Sequence, residues 1–345
     1  MAYQTLRSGL LLALLALTAG CGDDNPTGPQ STDIDYPAVY VVNGGSNSIS
    51  VIDLSTNAVA RTIPLSGVSW PHHLNLNSAR TKMALGVPGS DLSAGHGGHS
   101  AGRGRVVVLD AVAGEVLSEK ETPAPNHNAL FSPDDREIWT TQIEAEGKVL
   151  VYDAGTLALL ATIPVGSMPS EVTFSADGSM AFVANTGSHT VTVIGAADKT
   201  VMATIPVGRG PVGAWTGANG KMYVDGEEEK VISVIDVNTM AVEETIPLGF
   251  TPGYAAYNAS VNELWVSDSD SGAAVYFQRQ GNEWTKGGSI PTGKGAHAIA
   301  FTRDGKRAYL TNQLAGTVSV IDVAAKAKLK DVAVGDKPNG IAIRD

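Results

Sequence analysis

Seven histidines carry most of the chemical potential of this sequence: His72, His73, His96, His99, His127, His189 and His297. Neutral imidazole is the commonest protein ligand for zinc and copper. Several convergent imidazoles without thiolate suit Cu(II), Zn(II) or Ni(II) by ligand softness. His96 and His99 bracket Gly97-Gly98 in a glycine-rich stretch, 86–104 (GVPGSDLSAGHGGHSAGRG), loose enough to fold over a neighbouring site. Histidine is also common in polar loops, so the chemistry depends on whether the fold brings these positions together.

Other signatures fail on their own spacing. There is no Cys-x-x-Cys-His for covalent haem and no Gly-x-Ser-x-Gly elbow. Residues 288–295 (GSIPTGKG) approach a phosphate loop, but Gly295 replaces the required Ser or Thr and a strand pattern follows. Residues 268–272 (DSDSG) begin like a calcium loop, yet the glycine is one place early and no Glu follows at the right distance. The net charge of −11 argues against nucleic acid and against anionic lipid surfaces as partners.

The elements that must position the histidines come from an internal repeat. Residues 169–208 hold four short runs of alternating apolar residues, at 171–175, 179–185, 190–195 and 201–207, separated by tight turns. Four such antiparallel strands make one propeller blade. Equivalent blade starts fall at Pro71, Pro125, Pro169, Pro211, Pro252, Ala296 and Pro338; the first spacing is 54 residues and the others 41–44. Pro64, Pro164, Pro206, Pro247 and Pro291 fall in the fourth strand, where an outer edge tolerates a residue without an N–H. The Asp closing each V-x-V-I-D phrase (Asp53, Asp236, Asp322) reads as a turn former. The first repeat begins at a second strand and Lys337–Asp345 supplies only a first strand. Together they make a composite blade that closes a ring of seven and removes open edges. The expected fold is therefore an all-β, seven-bladed propeller of four-stranded antiparallel blades over 36–345.

That ring gathers the histidines. His72, His127 and His297 occupy the same slot of their repeats, and with His73 they stand at the starts of first strands, around the central channel. His96, His99 and His189 fall between second and third strands, on the same face. None is expected inside a strand. The metal-ligand candidates are His72, His73, His96, His99, His127 and His297, with copper or zinc as the suggested cofactor. Trp70 and Tyr254 are the aromatic residues placed to wall such a site.

Residues 169–208 resemble the YVTN β-propeller repeat of bacterial and archaeal envelope proteins, with Ala181-Phe182-Val183-Ala184-Asn185 standing where that repeat has Tyr-Val-Thr-Asn. The resemblance covers nearly all of 36–345 and implies the fold, while being nearly silent on chemistry. Residues 293–301 (GKGAHAIAF), followed by Asp304-Gly305-Lys306 and Ala308-Tyr309, resemble a repeat of the 6-phosphogluconolactonase-type propellers. That family's motif has Arg directly before the histidine; here Ala296 stands there, which removes a bidentate partner for a substrate carboxylate or phosphate.

The first 21 residues place the chain. Arg7 precedes an apolar run, Leu10–Leu17, too short for a permanent span and shaped like a signal peptide. Leu17-Thr18-Ala19-Gly20-Cys21 resembles a bacterial lipobox, with the Leu one place early, and implies lipidation at Cys21. Residues 22–35 read as a flexible tether. Gly22 after the cysteine points to the outer membrane, on its periplasmic side or at the cell surface. The function expected from the sequence is an envelope lipoprotein that binds an unidentified small ligand or envelope protein through its histidine-bearing face. The alternatives are a periplasmic copper-, zinc- or cofactor-dependent enzyme and a lactonase.

Overall fold

The computed structural model describes Met1 and residues 33–93, 102–281 and 283–345. Cys21, the lipobox, the tether to residue 32, His96 and His99 lie outside them. The described chain is twenty-eight strands in seven four-stranded antiparallel sheets. Blade one is β4 (Leu74–Leu76), β5 (Lys82–Val87), β6 (Gly104–Asp110) and β7 (Val116–Thr122). Blade two is β8 (Ala129–Phe131), β9 (Glu137–Gln142), β10 (Lys148–Asp153) and β11 (Leu159–Pro164). Blade three is β12 (Pro169–Phe174), β13 (Met180–Asn185), β14 (Thr190–Gly195) and β15 (Val201–Pro206). Blade four is β16 (Pro211–Gly217), β17 (Lys221–Gly226), β18 (Val231–Asp236) and β19 (Ala241–Pro247). Blade five is β20 (Pro252–Asn258), β21 (Glu263–Asp268), β22 (Ala273–Gln280) and β23 (Glu283–Pro291). Blade six is β24 (Ala296–Phe301), β25 (Arg307–Asn312), β26 (Thr317–Asp322) and β27 (Ala327–Ala333). Blade seven joins the termini: β28 (Pro338–Arg344) pairs with β1 (Ala38–Asn43), followed by β2 (Ser48–Asp53) and β3 (Ala58–Pro64).

The middle two strands of each blade are almost wholly buried, because each sheet has a neighbour on both faces. Blade two and blade three show the packing. Trp139, Val149 and Val151 of one meet Val172, Phe174 and Val183 of the next in a single cluster. The outer strands alternate toward solvent, and five of the seven end in proline: Pro64, Pro164, Pro206, Pro247 and Pro291 each close a fourth strand. Asp53, Asp153, Asp236 and Asp322 accept backbone N–H bonds from residues two or three further on, and so hold the turns between third and fourth strands. The calcium-like Asp268 does the same for Asp270 and Ser271.

The composite blade closes the ring through β28 and β1, with Ile341 opposite Val41 and Ile343 opposite Val39. Ile341 and Ile343 are half-buried and pack against the core cluster that blades six and seven share. Closure also draws on polar contacts: the Arg344 guanidinium donates to the carbonyls of Ile34 and Tyr36, and Arg80 donates to the Asp345 side chain at 2.8 Å. Ile34 is fully buried in the cluster shared by blades seven and one, so the packed core reaches back two residues beyond the expected start at Tyr36.

Candidate metal centre

The site is built by an irregularity at the head of the inner strands. In blade one, His72 N donates to Gly86 O and Gly86 N donates to His73 O, both at 2.9 Å. Two consecutive residues thus oppose one, which is a β-bulge, a device that re-aims side chains. The same shift of register interrupts β12, β16, β20, β24 and β28 near their first residues. Consequently the two adjacent positions in blade one, His72 and His73, face one cluster, and their counterparts lie at the same level in the other blades. The first holds His72, His127, Ser170, Val212, Gly253, His297 and Asn339. The second holds His73, Asn128, Glu171, Gly213, Tyr254, Ala298 and Gly340.

Neighbouring blades approach closely at this level, and glycine permits it. A Cβ on Gly86 would lie 2.8 Å from the Asn128 Cα and 2.9 Å from the His127 carbonyl oxygen. Across the blade seven to blade one boundary, a Cβ on Gly340 would lie 2.5 Å from the His72 carbonyl oxygen.

Four imidazoles converge there. Ring centroids are 4.5 Å apart for His72 and His73, 4.2 Å for His72 and His127, and 4.9 Å for His73 and His127. His297 approaches from blade six, two blades away, 5.8 Å from His72 and 5.4 Å from His73. His72, His73 and His127 each offer a ring nitrogen within 4.8 Å of the others. All four are buried, with relative exposures of 1–7%. They therefore form a buried cluster at the heads of the inner strands.

Glu171 organises the group. Its Oε1 accepts from Nδ1 of His127 at 2.9 Å and lies 3.5 Å from Nε2 of His73. A carboxylate on Nδ1 fixes the tautomer of His127 and directs the lone pair to Nε2, the usual outer-shell arrangement for a metal-ligating histidine. Tyr254 stacks on His73 at 6.1 Å and packs against Trp215 at 4.4 Å; burial raises its phenol pKa. Asp225, the fifth residue of β17, is fully buried. Its Oδ1 accepts from the backbone of Val212 and Gly213 at the blade-four bulge, at 3.1 and 2.8 Å. Burial, then the charge of Glu227, push its pKa well above the usual carboxylate range.

His72, His73, His127 and His297 come together as the repeat positions imply. His297 departs in one respect: it lies inside a strand, as the second residue of β24, because the sheet ladder of blade six begins before its bulge. His189 is on the same face but elsewhere, its Nδ1 accepting from Gly210 N at 3.2 Å. Tyr254 does wall the site, whereas Trp70 is half-buried and its backbone N–H donates to Asn47 Oδ1 at 2.9 Å. The sequence reading passed over Glu171 and Asp225. Their signal was an acidic residue inside a strand pattern: Glu171 at the position where blade one carries His73, and Asp225 in the strand paired beside that position in blade four.

No family profile matches this sequence, and no curated protein matches it. Fold and site define a seven-bladed propeller with a buried polyhistidine centre on its axis. Among solved structures it is similar to the periplasmic gluconolactonase of Pseudomonas aeruginosa, at 20% identity over 90% of this chain and 99% of that one, with a TM-score of 0.74. It is also similar to a Bacteroides fragilis protein described as a candidate 6-phosphogluconolactonase, at 16% identity over 92% and 100% of the two chains, TM-score 0.73. A third is the dihydro-haem d1 dehydrogenase NirN, at 15% identity over 92% and 77%, TM-score 0.65. At such identities the likeness establishes the fold, and one propeller fold carries many activities.

Proposed function

We propose that this protein is a cell-envelope metal-binding propeller that holds one copper or zinc ion between His72, His73 and His127. His297 is the fourth imidazole, and Glu171 is the carboxylate that orients the donors. The observation that carries the reading is the convergence of three buried ring nitrogens within 4.8 Å. Zn–N bonds of about 2.0–2.1 Å put tetrahedral donors roughly 3.4 Å apart, so side-chain adjustments of an ångström or so close the site. An imidazole set without thiolate suits Cu(II) or Zn(II). The envelope location rests on the likeness of residues 17–21 to a lipobox, with lipidation at Cys21; the similarity in fold to a periplasmic protein agrees with it.

Calorimetric titration of the mature domain with CuCl₂ and ZnCl₂ tests the reading. One equivalent should bind, and binding should raise the melting temperature by linkage. Affinity should fall as pH drops, because protonated imidazole cannot ligate. Absence of binding at micromolar metal would return this face to a surface for an unmetallated ligand or protein partner.

The lactonase reading keeps one observation: the Glu171–His127 pair is also the geometry of an oriented general base. Against it stand the burial of every imidazole, which offers no surface of substrate size, and Ala296 in the place of the arginine. Hydrolysis of glucono-δ-lactone by the metal-free protein decides it.

A further inference from the structure

The outer edges of the blades are built alike and furnished differently. In every blade the register between third and fourth strands slips near the start of the fourth, leaving one residue of the edge strand without a partner. This is a β-bulge, common at sheet edges. The bulged residue is Leu117, Leu160 and Met202 in blades one, two and three. It is Glu243 in blade four, Gly287 in blade five, Leu329 in blade six and Ala60 in blade seven. Leu329 stands alone between Lys328 and Lys330, whereas Leu117, Leu160 and Met202 each follow a second apolar residue: Val116, Leu159 and Val201. These six side chains are 48–53% exposed. Edge strands are ordinarily guarded by charge. β11 and β15 carry no charged residue, while every other fourth strand carries at least one.

The six residues form an arc over three consecutive blades. Each pair lies at the start of a fourth strand, just after the turn from the third, and so on the rim of the face opposite the histidines. The charges in the neighbouring turns are occupied locally: Asp153 accepts from Gly155 and Thr156, Asp198 accepts from Thr200, and Lys199 pairs with Glu137 at 2.8 Å. The packed domain also begins at this rim. Ile34 N donates to Val112 O at 2.8 Å, in the turn that leads into Val116. Positions 21 and 33 are twelve residues apart, a reach of at most about 40 Å.

We propose that the arc of Val116, Leu117, Leu159, Leu160, Val201 and Met202 rests in the headgroup region of the bilayer that holds the lipid anchor. The inference rests on lipidation at Cys21 and is independent of the metal reading. A tether this short keeps the rim at high effective concentration beside the lipid, so that a modest apolar surface is engaged once the anchor is in place. The net charge of −11 opposes a second copy of the chain and an anionic surface alike. Zwitterionic lipid is therefore the occupant. Docked in this way, the protein turns its histidine-bearing face toward the aqueous side.

The test uses the full-length lipidated protein in phosphatidylcholine vesicles. Lipidation occupies the Cys21 sulfur, the only one from cysteine in the chain, so Leu160→Cys supplies the one free thiol for an environment-sensitive fluorophore. Lys330→Cys, exposed on the blade-six edge across the ring, is the control. The label at 160 should emit at shorter wavelength and be quenched severalfold more by nitroxide-bearing lipid than the label at 330. Adding Leu117→Glu and Met202→Glu should abolish that excess while leaving the melting temperature unchanged, which separates docking of the arc from mere nearness of the tether. Equal quenching at 160 and 330 overturns the proposal. A short-wavelength label at 160 that nitroxide lipid does not quench overturns it too, and makes the edge a contact for a second copy. Mass spectrometry of the N-terminal peptide reads the acyl chains. Their absence overturns the anchor reading and this proposal together, whereas acylated protein with an unquenched label at 160 overturns the proposal alone.

Discussion

The two faces of the ring are made by the same repeat and put to different use. On the face opposite the histidines, blade after blade repeats one device. Asp53, Asp153, Asp236 and Asp322 hold the turn between third and fourth strands through backbone N–H bonds. On the histidine face, the two equivalent bulge positions hold a different pair in every blade, with His72-His73, His127-Asn128, Ser170-Glu171 and Gly253-Tyr254 among them. The repeated face is what a fold needs to close seven times. The varied face is where sequence has been released from that need, and its polar residues converge instead of dispersing.

Removing ring closure should give the largest effect, and on both faces at once. Deletion of Pro338–Asp345 takes away the whole of β28, its pairing with β1 and the Arg344 bonds to Ile34 and Tyr36. Even half-buried, Ile341 and Ile343 contribute on the order of 2–3 kcal/mol, and with the opened edge the loss rivals the stability of an ordinary domain. The truncated chain should show no cooperative melt by circular dichroism near the full-length transition; a melt within a few degrees of it contradicts closure through the composite blade.

The next effect belongs to the histidine face alone. Glu171→Gln keeps the shape but loses the charge that fixes His127, and should weaken zinc affinity by about 10–100-fold with a small change in melting temperature. A pure loss of stability with unchanged affinity would make Glu171 a packing residue. Asp225 follows, with a sign of its own. Its folded pKa is raised, so the folded state holds the proton more tightly than the unfolded chain, whose value is about 3.9. Stability therefore falls as pH rises from that value through the folded pKa. Asp225→Asn, whose Oδ1 still accepts from Val212 and Gly213, should be more stable than the parent at pH 7, the gain shrinking toward pH 4. Differential scanning calorimetry at the two pH values reads it. A variant less stable than the parent at pH 7 would mean that Asp225 stays ionised.

The smallest effect is expected from the repeated face. Hydrogen bonds from Thr156 hold the Asp153 carboxyl below its ordinary pKa. What it contributes is thus fully present above the unfolded value and is lost as pH falls through the folded one. Asp153→Ala should lower the melting temperature by a few degrees at most at pH 7, converge with the parent in acid, and leave metal affinity untouched. Altered metal binding in that variant would erase the division between the faces.

How much of this could be read in advance follows from the same division. The ring was legible because its signals are local and recur: prolines closing fourth strands, aspartates closing turns, a first strand left over at one end and missing at the other. The common slot of His72, His127 and His297 was legible for the same reason, once the repeats were aligned. Glu171 and Asp225 were not, because a single acidic residue in an apolar strand carries no periodic signal, and its meaning depends on the neighbouring blade. The bulge was equally hidden. Without it His73 would alternate away from His72, and only the structure shows both facing one cluster.

The central claim is that the imidazoles act as one set of donors. X-ray absorption at the metal edge, on protein loaded with one equivalent of zinc or copper, tests it most directly. The account predicts three or four nitrogen donors at about 2.0–2.1 Å with imidazole outer-shell scattering, lost in the His72→Ala/His127→Ala double variant. A spectrum dominated by water oxygens, or one that the double variant leaves unchanged, would contradict it.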